Sequence, residues 1–288
     1  MRTLSARPEP PRDVRADDPP PITIRGELAE LWAGRGVLWA LVGRDLHNRY
    51  VGSAIGFLWT VVNPILELVT FTFVFHVLIG VRYHPTGDAA HYVLFLFSGM
   101  ITWGAFADGI TRATTSVRDN AHLVRKMRFP VAVLPAQAVL SAVVNQAFRL
   151  VILLIGAVLL GDGLDWHALL VAPFVVVQAM FTLGVGLLLA TLNVYYRDVS
   201  HWVEAALRLG MFVTPVFYPA SAYPRALVLL LYPNPMAQLV GIQQGLVLNQ
   251  ALPAMNSMIW ATLAAGAALA LGAWVFAHSR RQIGRAHV

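Results

Sequence analysis

The sequence predicts an all-α polytopic membrane protein with six transmembrane helices and both termini cytoplasmic. Three observations predict it. Of 288 residues, 57% are hydrophobic and 12% charged, with a mean hydropathy of +0.62, where a soluble domain would be roughly a quarter charged. Apolar runs near the ~20 residues needed to cross a bilayer recur along the chain. The basic residues gather at the ends of those runs on one side. There are no cysteines, which excludes disulfides and thiolate metal sites. The formal charge of +6 follows from that membrane-end clustering and does not imply nucleic acid.

The chain turns from polar to lipid-compatible in RDLHNRYVGSAIGFLWTVVNP, residues 44–64. Before it, residues 1–22 are rich in Pro, Arg and Asp and read as a disordered cytosolic tail, without the apolar core of a signal peptide. Residues 23–54 carry Leu28, Leu31, Trp32, Trp39, Val42 and Leu46 at helical spacing, with charges between them. They predict an amphipathic helix, either in the membrane interface or packed on the bundle.

A six-span domain is expected over 55–279. Its first span, 55–79, contains Pro64, which should kink it. The second is 92–110. A cytosolic polar loop, 111–130, follows and ends at Pro130. The third and fourth spans lie within 131–160 and 168–192, joined by GDGLDWH, and the turn NVYYRDVSH leads to a fifth at 202–218. Residues 223–253 hold short apolar runs broken by PNP. These suggest re-entrant helices, or a plain outer loop with surface helices. The sixth span is 258–277, where Ala264, Ala268 and Gly272 recur every four residues and permit close helix approach. Residues 280–288 form a cytosolic tail. With both termini inside, 17 of the 21 Arg and Lys are cytoplasmic.

No motif for independent chemistry stands out. Lys126, the only lysine, lacks the glycine-rich lead-in of a P-loop, and no HExxH occurs. His84, Asp88 and His91 read as a solvated loop and not a metal site. Glu67, Asp108, Arg149, Glu204 and Arg208 fall inside spans, where an isolated charge costs roughly 2.5–3.5 kcal/mol. They should face the bundle interior or a water-filled path, as a polar lining or as helix-locking ion pairs. Glu67 and Arg149 are expected near mid-membrane on neighbouring spans. In the loop, residues 116–127 can form a short helix with Leu123 and Met127 on one face and Arg118, Arg125, Lys126 and Arg128 around it. That shape suits a cleft in a soluble partner, or contact with anionic lipid.

The ordered segments RDLHNRYVGSAIGFLWTVVNP, LFSGMITWGAF, VRKMRFPVAVLP, NVYYRDVSHWVEAALRLGMFVTPVFYP and YPNPMAQLV resemble the permease subunits of ABC transporters that export polysaccharides, a family with O-antigen, teichoic-acid, capsule and galactan exporters. The resemblance covers residues 44–281. It implies a homodimer paired with two copies of a separate ATPase chain. This chain would hold no cofactor; ATP and Mg would sit on the partner, and the chain would not itself be an enzyme. The cargo would be a polyprenyl-pyrophosphate-linked glycan crossing the plasma (inner) membrane outward.

By the same resemblance, residues 23–54 look like a gate helix and 223–253 like re-entrant helices near the exit. Arg118, Asp119, Asn120, His122, Leu123, Arg125, Lys126 and Arg128 look like a coupling helix, with Tyr195, Tyr196, Arg197 and Asp198 beside it. Arg44 and Arg49 stand where a pyrophosphate would arrive, and a guanidinium suits it. Trp59, Phe71, Phe75, Trp103, Phe106 and Tyr218, with Glu67, Asp108, Arg149 and Arg208, are candidate channel-lining residues; packing against other helices or lipid is the plainer role for each aromatic. Two other expectations stay in view: the same export fold with a drug or small lipid as cargo, and a membrane-embedded polyprenyl-phosphate transferase. The transferase would need an acidic or His cluster at a membrane face, and none is evident in the sequence.

Overall fold

The computed structural model describes residues 32–48, 56–81, 89–122, 130–161, 163–224, 228, 231–248 and 252–283, and every regular element among them is helical. In chain order the α-helices are α1 (Arg35–Asn48), α2 (Trp59–Thr72), α3 (Ala89–Asp119), α4 (Val133–Leu160), α5 (Val171–Tyr195), α6 (Val199–Val213), α7 (Pro235–Leu248) and α8 (Met255–Ile283). Five stretches are long and apolar enough to cross a membrane: Val61–Leu78, Ala89–Asp119, Val133–Leu160, Trp166–Tyr195 and Met255–Ser279. The chain is a multi-pass helical membrane protein.

α3 is the hub. It packs on α4, α5, α6, α7 and α2, and Tyr92, Leu96, Ile101, Ala113 and Val117 along it are almost fully buried. It also runs further than the sequence suggested. The polar interval expected to begin at 111 stays helical through Asp119, because TRATTSVRD contains neither Gly nor Pro to stop it. Ser116–Asp119 are therefore the last turn of a 31-residue helix, about 46 Å long, and not part of a separate short one. Such a helix overruns the ~30 Å hydrocarbon core. Two of its buried hydroxyls are satisfied within the helix: Thr102 Oγ1 donates to Ser98 O at 3.0 Å and Thr114 Oγ1 to Ile110 O at 2.7 Å.

α2 continues through Pro64 and widens into a π-helical segment, Phe73–Leu78. α5 and α8 make the closest crossing in the bundle. A Cβ at Gly184 would collide with the backbone of Ala268 and Leu269, and one at Gly272 with the backbone of Gly184. The four-residue repeat of small residues is thus the contact seam itself.

α6 differs from the expected fifth span. It is a 15-residue helix, about 22 Å, and stops where Thr214 turns extended (ψ 142°) ahead of Pro215, as the residue before a proline is pushed out of the helical region. Its terminal carbonyls are covered by two tyrosines. Tyr218 Oη donates to Phe212 O, and Tyr223 Oη donates to Val213 O at 3.0 Å. Burial, then the neighbouring Tyr218, raises the Tyr223 phenol well above its ordinary range.

α7 lies inside the bundle. Asn234 caps it, its Oδ1 accepting from Met236 N at 3.0 Å and Ala237 N at 3.3 Å, with Pro235 at the first helical position. Nine of its 14 residues are buried, including Gln243 and Gln244. Gln243 Nε2 donates to Ser98 O at 3.4 Å; Gln244 Nε2 donates to Pro215 O at 3.3 Å and Phe95 O at 3.4 Å. Inside a bundle, buried polar side chains such as these are tolerated because protein carbonyls satisfy them.

Candidate functional site

α1 packs on α4, and its Asp45 reaches α3. Arg112 Nη2 meets Asp45 Oδ2 at 2.7 Å, and Arg112 Nη1 lies 3.6 Å from Asp108 Oδ2, one turn away on α3. One guanidinium therefore joins α1 to the charged face of α3. Below it lies a polar cavity of about 240 Å³ lined by Arg44, Asp45, Asn48, Arg112, Asp119 and Asn120. Above it, between α3 and α4, lies a second polar cavity of about 140 Å³ containing Asp108 and Arg149. Arg44 thus faces a cavity; Arg49 lies outside the described residues.

The other intramembrane charges are arranged differently. Glu67 is exposed on α2, and no ion pair joins it to Arg149 among the described residues. Arg208 pairs with Glu204 on its own helix at 3.5 Å, and both are solvent-open in the single chain, 80% and 49% exposed. Within one chain, Glu67 and Arg208 point away from the bundle interior that the sequence led us to expect.

The candidate coupling residues sit at one end of the bundle. Arg118 and Asp119 end α3, and Asn120 and His122 follow, Asn120 Nδ2 donating to Ser116 O at 2.9 Å. Tyr195 ends α5; Tyr196, Arg197 and Asp198 form the exposed turn into α6. Val117, Ala132, Leu187, Ala190, Ala273 and Phe276 make one buried cluster, with Val194 packed on it. That cluster brings together the ends of α3 and α5 and the start of α4. Leu123, Arg125, Lys126 and Arg128 lie outside the described residues.

The candidate aromatics separate into two groups. Phe71 and Phe75 of α2 pack on the fully buried Phe217, with ring centroids 4.9 and 4.6 Å apart, and Tyr218 follows in the segment that covers α6. Trp103 and Phe106 of α3 are both buried, Phe106 stacking on Phe181 of α5 at 5.8 Å and the Trp103 ring lying against Gly210 of α6. They also form one wall of an apolar crevice of about 450 Å³ that α6 closes. Trp59 is half-buried at the start of α2.

A sequence profile described as ABC-2 type transporter matches residues 36–247. That range runs from α1 through α7, the elements that build both polar cavities. The chain belongs to the ABC-2 type transporter family. It is 34% identical over 230 residues to the O-antigen export system permease protein RfbA of Myxococcus xanthus, covering 78% of this chain and 85% of that protein. An O-antigen export system permease protein RfbA of Klebsiella pneumoniae is 27% identical over 219 residues, 75% and 82% of the two chains. The polysialic acid transport protein KpsM of Escherichia coli is 20% identical over 221 residues, 73% and 80%.

Several residues of this ABC-2 type transporter chain escaped the sequence reading. Arg112 was counted with a polar loop, because α3 was expected to end before it. Asn145, Gln146 and Gln178 carry no charge, so a scan for intramembrane ions passes over them. The signal was present as spacing: Asn145 and Arg149, like Asp108 and Arg112, lie four residues apart on one helical face.

Proposed function

We propose that this ABC-2 type transporter chain is the permease of an ATP-driven exporter that carries a polyprenyl-pyrophosphate-linked polysaccharide, of the O-antigen, galactan or teichoic-acid class, out across the plasma (inner) membrane. The observation that carries this reading is the likeness, over 78% of the chain, to a permease named for O-antigen export. Power comes from a separate ATPase, two copies per complex, which binds ATP and Mg; this chain has no ATPase site of its own. Two copies of the chain form the conduit, and both termini are cytoplasmic. Six crossings result when α6 is completed by the segment through Tyr218, and 223–253, with α7 at its centre, serves as the re-entrant region.

The exposed charges support a homodimer. Glu67 on α2 and the Glu204–Arg208 pair on α6 would be costly against lipid, whereas a second copy and a wet path between the two would solvate them. ATP-driven closure of the ATPases pushes on the end of α3 and the 195–198 turn, parting the two copies. Phosphate meets Arg44 and Arg49, and sugar rings slide over aromatic faces.

A second reading keeps the exporter and changes the cargo to a drug or small lipid; the apolar crevice beside Trp103 and Phe106 favours it. One assay separates the two. The permease and its ATPase are reconstituted in proteoliposomes, and ATP hydrolysis is measured with lipid-linked glycan or with lipophilic drugs. Stimulation by the glycan, lost in R125E/K126E, is expected. Stimulation by drugs alone overturns the polysaccharide reading, and wild-type coupling in R125E/K126E removes the coupling assignment.

A further inference from the structure

The upper cavity between α3 and α4 has a wall whose polarity can be read group by group. Gln178 Nε2 donates to the backbone carbonyl of Thr102 at 3.0 Å, and that carbonyl can only accept. Gln178 Oε1 therefore faces Gln146 and accepts from its Nε2 at 2.9 Å. The orientation of Gln146 follows: its Oε1 is buried and without a hydrogen-bond partner, an acceptor on a side chain that lines the cavity. Asn145 Nδ2 and Arg149 Nε are likewise buried without partners among the described residues, as donors. Gln146 is 1% and Asn145 8% exposed. Asp108 completes the ring of polar groups.

An unpartnered polar group in an apolar medium costs several kcal/mol, and lipid offers no remedy. The cavity, at about 140 Å³, has room for several waters, each needing roughly 10–15 Å³ on this measure. A bare anion would meet Asp108 and Gln146 Oε1, and a bare cation would meet Arg149. A hydroxyl group donates and accepts at once, and both kinds of partner are present.

We propose that the cavity walled by Asp108, Asn145, Gln146 and Arg149 is a binding site for hydroxyl groups at membrane depth, filled by ordered water or by the hydroxyls of a sugar. The water source needs only the multi-pass fold; the sugar source rests on the polysaccharide reading above. Ile101 also lines the cavity yet is 1% exposed, while Leu96 and Leu153, at 0%, lie in the apolar core.

The test is X-ray radiolytic footprinting of the full chain in lipid nanodiscs, read by mass spectrometry. Radicals made from water held beside Ile101 should oxidise it well above Leu96 and Leu153, and Gln146→Leu should remove most of that signal. Adding mannohexaose and maltohexaose divides the sources: protection of Ile101 assigns the site to sugar hydroxyls, and unchanged labelling assigns it to water. Ile101 labelling no higher than that of the two leucines means a dry cavity and overturns the proposal. Persistence of the signal in folded Gln146→Leu overturns the role of Gln146.

Discussion

Arg112 serves two carboxylates on two helices, and that sharing makes it the residue to test first. Its side chain and that of Asp45 are about a quarter exposed, so the pair is worth no more than about 1 kcal/mol after screening. Asp45→Asn and Arg112→Gln should each loosen α1, with a double variant less than additive; spin-label mobility at position 39 of α1 reports it. Equal mobility in wild type and both single variants would show that the pair does not hold α1. At Tyr223 the expectation is a stability change. Tyr223→Phe strips a donor from the end of α6 and should cost about 0.5–1.5 kcal/mol, measured as thermal unfolding in detergent. Residues such as these were not legible in the sequence. An arginine reads as loop charge or helix charge only once the helix end is known, and these tyrosines' partners lie six and ten positions away in a segment with no regular pattern.

Between helices, contact distance decides. Where α5 crosses α8, Gly184 and Gly272 let the backbones touch, and any side chain must push them apart. Gly184→Leu and Gly272→Leu should each destabilise by ~3 kcal/mol or more, at the upper end of core overpacking. Gly241, exposed on α7 with nothing within 4 Å of an added Cβ, is the control: Gly241→Ala should stabilise by about 0.4–1 kcal/mol. Unfolding midpoints in detergent check both, and equal effects at 184 and 241 would remove the seam. This part was partly legible. The small-residue repeat of α8 is visible in the sequence, but Gly184, one of two glycines on α5, gains its meaning only from the helix opposite. The buried depth of α7 was equally hidden, since a 14-residue apolar helix that starts at a proline looks the same on a surface as in a core.

For the whole molecule, assembly has a clean handle because the chain lacks cysteine. In the proposed homodimer, single cysteines at positions 67 and 208 should cross-link between copies in native membranes, while one at Leu159, on the exposed end of α4, should not. Cross-linking at 159 and neither of the others would put the interface on another face. The helical, multi-pass character of the chain and the placing of its long apolar spans, though not where α3 and α6 end, follow from sequence alone, because lipid selects on composition along a single segment and needs no partner. Which polar groups meet inside was decided by packing alone. Thr102 and Gln178, or Phe95 and Gln244, are joined across 76 and 149 residues, and hydrogen bonds of a few ångströms depend on crossings that no one-dimensional pattern contains.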